Sequence, residues 1–163
     1  LIELLVVVAI IGVLAAVGVL SFNGFLGNAK ANATKTAHAN VVRFIQSSIM
    51  KCKTGGELNL NSSGGVLSED LCYLVTSPNA LELNQKFQAH FTYNGYCNTY
   101  GLTHNSGTCQ EGVNLGGVIG QMGILGEIRL FQNDANDRII VDTHYDDDDQ
   151  GDHELSPSIP ERL

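Results

Sequence analysis

The feature that most constrains this chain is the run at residues 4–20, LLVVVAIIGVLAAVGVL, which holds no charge and no strongly polar side chain. As a helix it would extend on the order of 25 Å at about 1.5 Å per residue, near the lower limit for crossing a hydrocarbon core. It is apolar all round rather than along one stripe, and such a helix is covered on every side, by lipid or by other protein. A single acid, Glu3, stands directly before it. A carboxylate beside an apolar span is costly unless it reaches the interface or meets a cation.

Two ordinary explanations fit poorly. A secretory signal peptide has a basic segment before its apolar run and a small-residue cleavage site after it. No Lys or Arg precedes the run in this sequence, and the helical pattern continues past Ala15, Ala16 and Val17, through Phe22, towards Cys52. A plain membrane anchor leaves Glu3 unexplained. In low-dielectric surroundings an unpaired carboxylate costs several kcal/mol, so a partner cation is strongly favoured. The first 29 residues contain no Lys or Arg, which leaves an α-amino group as the available charge.

The opening segment, LIELLVVVAIIGVLAA from Leu1 to Ala16, resembles the N-terminal signature of type IV pilins and pseudopilins over about 25 residues. The resemblance implies a subunit held in the inner membrane by this helix and trimmed and N-methylated by a prepilin peptidase. The assembly machinery then extracts it into a helical homopolymer with the apolar helices at its centre. It also implies that Glu3 neutralises the N-terminal amine of a neighbouring subunit. Two departures stand out: the Phe-Thr pair that usually opens the mature form is absent from the sequence, and Leu20 lies where many members carry a late proline. Gly18, Gly24 and Gly27 are weaker helix breakers, at about 1 kcal/mol each relative to Ala.

Charge divides the chain into a basic stalk and an acidic head. The net charge of −8 splits into five bases against one acid over residues 1–53 and four bases against sixteen acids over residues 54–163. Nucleic-acid binding rests on Lys and Arg neutralising phosphates, so the acidic head argues against it. The organisation expected is an apolar membrane or filament-core helix over residues 1–27 and a head over residues 28–163 that includes the amphipathic second half of the helix. Thr34, His38, Val41, Val42, Ile45, Ile49 and Cys52 fall near one helical face, which should receive a sheet. The segment Thr54, Gly55, Gly56 should end the helix. Residues 57–85 read as a loop with one or two short helical turns. Residues 87–93 alternate Phe87, Ala89, Phe91 and Tyr93 with polar residues, the period of a half-buried strand. Residues 124–131 and 138–143 read as two strands of an antiparallel hairpin joined by the turn-rich Asn133 to Asn136. The fold class expected is therefore α+β, in the type IV pilin manner: a long N-terminal helix packed on a three- or four-stranded antiparallel sheet.

Four cysteines without CxxC spacing, in a chain that meets the membrane at its N-terminus, point to disulfides rather than zinc. Three connectivities are open. The pairing Cys52 with Cys72 and Cys97 with Cys109 is favoured because each closes a short polar loop, worth roughly 3 kcal/mol in the chain-entropy account. The glycine-rich segment from Gly116 to Gly123 lacks the Gly-Lys-Ser/Thr ending of a phosphate loop and reads as close backbone packing. Seven acids crowd residues 142–154. Asp146, Asp148, Gln150, Gly151 and Asp152 match the first half of a calcium loop, but Pro157 occupies the place of the closing acid of an EF-hand. A looser calcium site drawn from Asp142, Asp146, Asp148, Asp152 and Glu154 and a solvated acidic loop both stay open; no other cofactor is implied. His144 and His153 flank this cluster and read as surface residues. No nucleophile with a spaced base and no cofactor fingerprint occurs, so a structural role is expected rather than an enzyme. The function implied is a subunit of an extracellular type IV pilus, serving adhesion, motility or surface interaction, with a type II secretion pseudopilin as the alternative.

Overall fold

The computed structural model describes residues 1–62, 65–66, 70–76, 80–101, 112–115, 125–132, 138–145, 153–155 and 159–160. One helix, α1 (Ile2–Lys53), passes without interruption from the apolar run into the amphipathic segment. At about 1.5 Å per residue it is roughly 78 Å long. Its interior glycines do not stop it, because each costs only about 1 kcal/mol, and no proline withdraws a backbone donor. The helix ends where the glycines predict. Gly55 has φ +83°, its N–H bonds Cys52 O, and the Gly56 N–H bonds Lys51 O at 2.9 Å. This glycine cap satisfies carbonyls that the helix itself leaves without donors.

The second half of α1 carries the head. Thr34, His38, Val41, Ile45, Ser48 and Ile49 are buried and recur at helical spacing, so they form one continuous stripe. After the cap come a short antiparallel hairpin, β1 (Asn61–Ser62) with β2 (Gly65–Val66), and a helical turn, α2 (Cys72–Thr76). A disulfide joins Cys52 in the last turn of α1 to Cys72, with Cα atoms 5.2 Å apart. The Asp70 carboxylate accepts the N–H groups of Leu58 at 2.9 Å and Cys72 at 3.0 Å, which ties the two ends of this loop together.

Helix α3 (Ala80–Tyr93) occupies the stretch that contains the predicted strand at 87–93, and the strand expectation is incorrect. Phe87 and Phe91 are one helical turn apart, and Leu83 precedes them by another turn; all three are buried. The two-residue alternation from 87 to 93 is real, but the i, i+4, i+8 series decides the structure because it buries the largest side chains on one face. Phe44 from α1 meets the edges of Phe87 and Phe91 at ring-centroid distances of 6.2 and 5.3 Å, so the two helices share an aromatic seam.

The sheet contains β3 (Val113–Leu115), β4 (Ile128–Gln132), β5 (Arg138–His144), β6 (His153–Leu155) and β7 (Ile159–Pro160). Its order is β3-β4-β5-β6, with β7 also on β5. The predicted hairpin is present as the antiparallel pair β4 and β5, with Ile128 opposite Thr143 and Leu130 opposite Val141. The expectation of three or four antiparallel strands fails on two counts: five strands join the sheet, and β3 runs parallel to β4. Alternation along the ladder places Val113, Ile128, Leu130, Ile139, Val141 and Thr143 on the side that meets the helices. The opposite side carries Arg129, Phe131 and Asp142, which are buried as well. Helix and sheet thus form an α+β head around a core that includes Val41, Ile45, Leu74, Phe87 and Val141.

Ile45 is fully buried and Ile11 is 59% exposed. Ile45→Ala should therefore cost about 2–5 kcal/mol of stability, the usual range for deleting a core isoleucine. Ile11→Ala should leave the melting of the head unchanged. Thermal unfolding of both variants in detergent, followed by circular dichroism, checks the contrast.

Candidate functional site

Among described side chains, everything from Leu1 to Ala29 is exposed, and the first partial burial comes at Lys30. Leu4, Leu5, Ile10, Val13, Leu14, Val17 and Phe25 all present most of their surface outward. Each such side chain gains roughly 1.5–3 kcal/mol on leaving water. Uncovered apolar surface on this scale marks a membrane or protein contact. The helix is long and apolar enough to cross a membrane. Glu3 lies in its first turn, exposed, where the helix dipole favours a negative charge.

A polar collar separates this bare half from the head. The Thr34 hydroxyl bonds both Lys30 O, at 3.0 Å, and the hydroxyl of Thr99. One turn on, His38 Nδ1 lies 2.8 Å from Thr143 Oγ1 on β5, with both residues buried. The Lys30 ammonium stands 5.6 Å from the Tyr100 ring centre and that of Lys35 4.0 Å from the Tyr145 ring centre. Tyr100 donates its hydroxyl hydrogen to Tyr145 O. The first two cations after the apolar run are therefore placed over aromatic faces, contacts worth about 0.5–1 kcal/mol each when exposed. Asn98 stitches the same corner: its amide donates to Leu125 O at 2.8 Å and its oxygen accepts the Tyr100 N–H at 2.8 Å. Gly126, with φ +83°, passes so close that a Cβ there would lie 2.2 Å from that oxygen, so only glycine fits.

The remaining predicted site residues divide sharply. Cys52 and Cys72 are paired as expected. Cys97 is also disulfide-bonded, and Cys109, the partner expected for it, lies outside the described residues. Of the calcium candidates, Asp146, Asp148 and Asp152 lie outside the described residues, as does the glycine-rich segment at 116–123. Asp142 is engaged elsewhere. It is fully buried on β5 and accepts a charge-assisted bond from Arg129 on β4 at 2.5 Å. Glu154 sits on β6 opposite Thr143, whereas Asp142 is opposite Leu155. Among the described residues no group of three His, Cys, Asp or Glu side chains could hold a metal ion. His144 is buried at 6% exposure, contrary to the surface position expected for it.

The Arg129–Asp142 pair and the His38–Thr143 bond are the contacts that reasoning from sequence missed. Arg129 follows Ile128 and precedes Leu130 and Phe131, and Asp142 follows Ile139, Ile140 and Val141, so two opposite charges beside apolar runs on neighbouring strands were the available signal. The acidic run that follows concealed it, because Asp142 reads naturally as its first member.

No protein-family model, curated protein or solved structure matches the chain.

Because Asp142 serves Arg129, Asp142→Asn should destabilise the head by about 3 kcal/mol, the low end for breaking a buried ion pair. The loss should be the same with calcium as with chelator. A melting-temperature deficit that appears only in calcium would instead place Asp142 among metal ligands.

Proposed function

We propose that this chain is the structural subunit of an extracellular type IV pilus, polymerised through the bare half of α1. The observation that carries the reading is a single unbroken helix whose described side chains through Ala29 are all uncovered and whose remainder is built into a disulfide-bonded, acidic head. Before assembly the apolar half would lie in the inner membrane; after assembly the same half of other copies would cover it. The described side chains of the apolar run take no part in the core of the head, so transfer from lipid to filament would require no refolding of the head. Glu3 is the lone side-chain charge in the covered half, and its partner would be the N-terminal amine of a neighbouring copy. The pilin fold, with its helix-on-sheet head, is part of this reading. The work of such a subunit is mechanical and adhesive, and we assign it no catalytic step.

The acidic run at residues 146–152 favours a second reading, a type II secretion pseudopilin, in which the same helix would build a short periplasmic piston and the acids a calcium-ordered loop. The disulfide between Cys52 and Cys72 favours the first.

Glu3→Ala separates assembly from folding. The variant should remain in the inner membrane with its head intact, while filaments sheared from the source cell and identified by mass spectrometry fall sharply in yield. Normal filament yield from Glu3→Ala would remove the assigned pairing. Absence of the wild-type chain from any surface filament, together with its retention in the periplasm, would favour the piston.

A further inference from the structure

Among the described residues, the loop that the Cys52–Cys72 disulfide closes has two side-chain acceptors that acid removes, one tying its base together and one fastening it to α3. At its base the acceptor is the Asp70 carboxylate, which takes the N–H groups of Leu58 and Cys72. Near its far end the acceptor is the imidazole of His90 on α3, whose Nδ1 takes the Asn61 N–H at 2.9 Å. A ring nitrogen that accepts carries no proton, so this imidazole is neutral with its hydrogen on Nε2. Asn94 completes the arrangement: its oxygen accepts from Asn61 Nδ2 at 3.1 Å, and its own amide donates to His90 O at 2.7 Å. The imidazole lies parallel to the Phe44 ring with centroids 4.8 Å apart and meets the Phe91 ring at 5.7 Å.

We propose that His90 is an acid-sensitive latch: its protonation releases Asn61, and with it the β1–β2 hairpin, while Asp70 and the disulfide keep the base of the loop in place. An imidazolium donates from both nitrogens, so a donor would replace the acceptor that Asn61 N–H now uses. Asn94 can turn its amide oxygen towards the new donor, but that withdraws the acceptor from Asn61 Nδ2. Both of these Asn61 bonds are then lost together. The ring itself has no reason to leave, because the face of Phe44 also attracts a cation. Leu58 and Leu60 are buried in the core, which puts the hinge between Leu60 and Asn61.

The two acceptors let go at different acidities. His90 is faced by Phe44 from α1, by Asn61 from β1, and by Phe91 and Asn94 from its own helix, none of which ionises. The nearest ionisable residues along those segments are Arg43, Glu57, Lys86 and Tyr93. Burial holds the His90 imidazole below its ordinary value of 6.5. A histidine kept neutral by the fold contributes its full stability above the unfolded value and loses it as pH falls from about 6.5 towards the folded value. The Asp70 carboxyl is held below its ordinary 3.8 by the N–H bonds of Leu58 and Cys72, so its contribution persists until the pH falls beneath 3.8. Mild acid therefore frees the hairpin while the base stays closed.

Hydrogen exchange of the full chain in detergent, read at single amides by NMR and corrected for intrinsic rates, tests this from about pH 8 to about pH 5, the interval in which histidine titrates. Protection of the Asn61 amide should fall about tenfold, as expected for loss of one ordinary hydrogen bond, with the midpoint of the His90 ring's own chemical-shift titration. The Leu58 amide should keep its protection throughout. His90→Gln, which cannot titrate, should abolish the pH dependence at Asn61. Protection at Asn61 that stays constant while His90 titrates would overturn the latch, as would the same acid-induced fall in His90→Gln. If that variant does not fold, the wild-type co-titration decides alone.

Discussion

Burial of one stripe of α1, from Thr34 to Ile49, is the constraint on which the rest of the molecule depends. Three later elements meet α1 in or beside it: α3 through Phe44, α2 through the Cys52 disulfide, and β5 through His38. Because the stripe lies entirely in the second half of an unbroken helix, the hydrogen-bonded backbone of α1 transmits the orientation of the head directly to the bare half. No flexible linker intervenes. On the proposed pilus reading, that continuity would let a copy bound by its helix also fix where its head points.

Apolar packing alone would tolerate some sliding of helix over sheet, because isoleucine and valine side chains fit several neighbours. Hydrogen bonds at the collar do not. His38 reaches Thr143 from one position on the helix, and Thr34 reaches Thr99 one turn earlier. A shift of one residue rotates each side chain by about 100° about the helix axis and leaves buried polar atoms without partners. The polar residues of the stripe thus select the register that the apolar residues stabilise. On the other side of the sheet, Arg129 and Asp142 act in the same way between β4 and β5, where they are directly opposite one another. Asn84 is the exception: it is fully buried on α3 with neither side-chain polar atom bonded among the described residues, and nothing described in the structure explains it.

Much of this was legible in the residues, and the failures have physical causes. The helix, its glycine stop, its inward face and the β4–β5 hairpin all follow from periodicity that only one structure can satisfy. The segment FQAHFTY at 87–93 satisfies two periods at once, and the decision between them rests on Leu83, outside the alternating run. The parallel strand β3 could not be read, because its partner β4 is joined to it through a long connection and three residues are too few to show a pattern. The exposed apolar half of α1 was evident at once, since surface that must be covered is visible in composition. The pairing of Asp142 with Arg129 was hidden for the opposite reason: the two are thirteen residues apart in sequence, and a carboxylate near four others resembles them more than it resembles a core residue.

The disulfide has a mechanical consequence beyond closing a loop. Cys52 is in the final turn of α1, at the end of the helix farthest from the apolar half. Tension applied between the two ends of α1 would reach the core as shear along the stripe from Thr34 to Ile49, which loads its contacts in parallel rather than peeling them one at a time. The covalent link prevents fraying from starting at the Lys53 end. In the opposite half an added Cβ would meet nothing within 4 Å at Gly18, Gly24 or Gly27, so there the helix's own backbone hydrogen bonds would carry the load without support from the head. Load would thereby pass from side-chain packing in one half of the helix to backbone hydrogen bonds in the other, with the collar at Thr34 as the boundary.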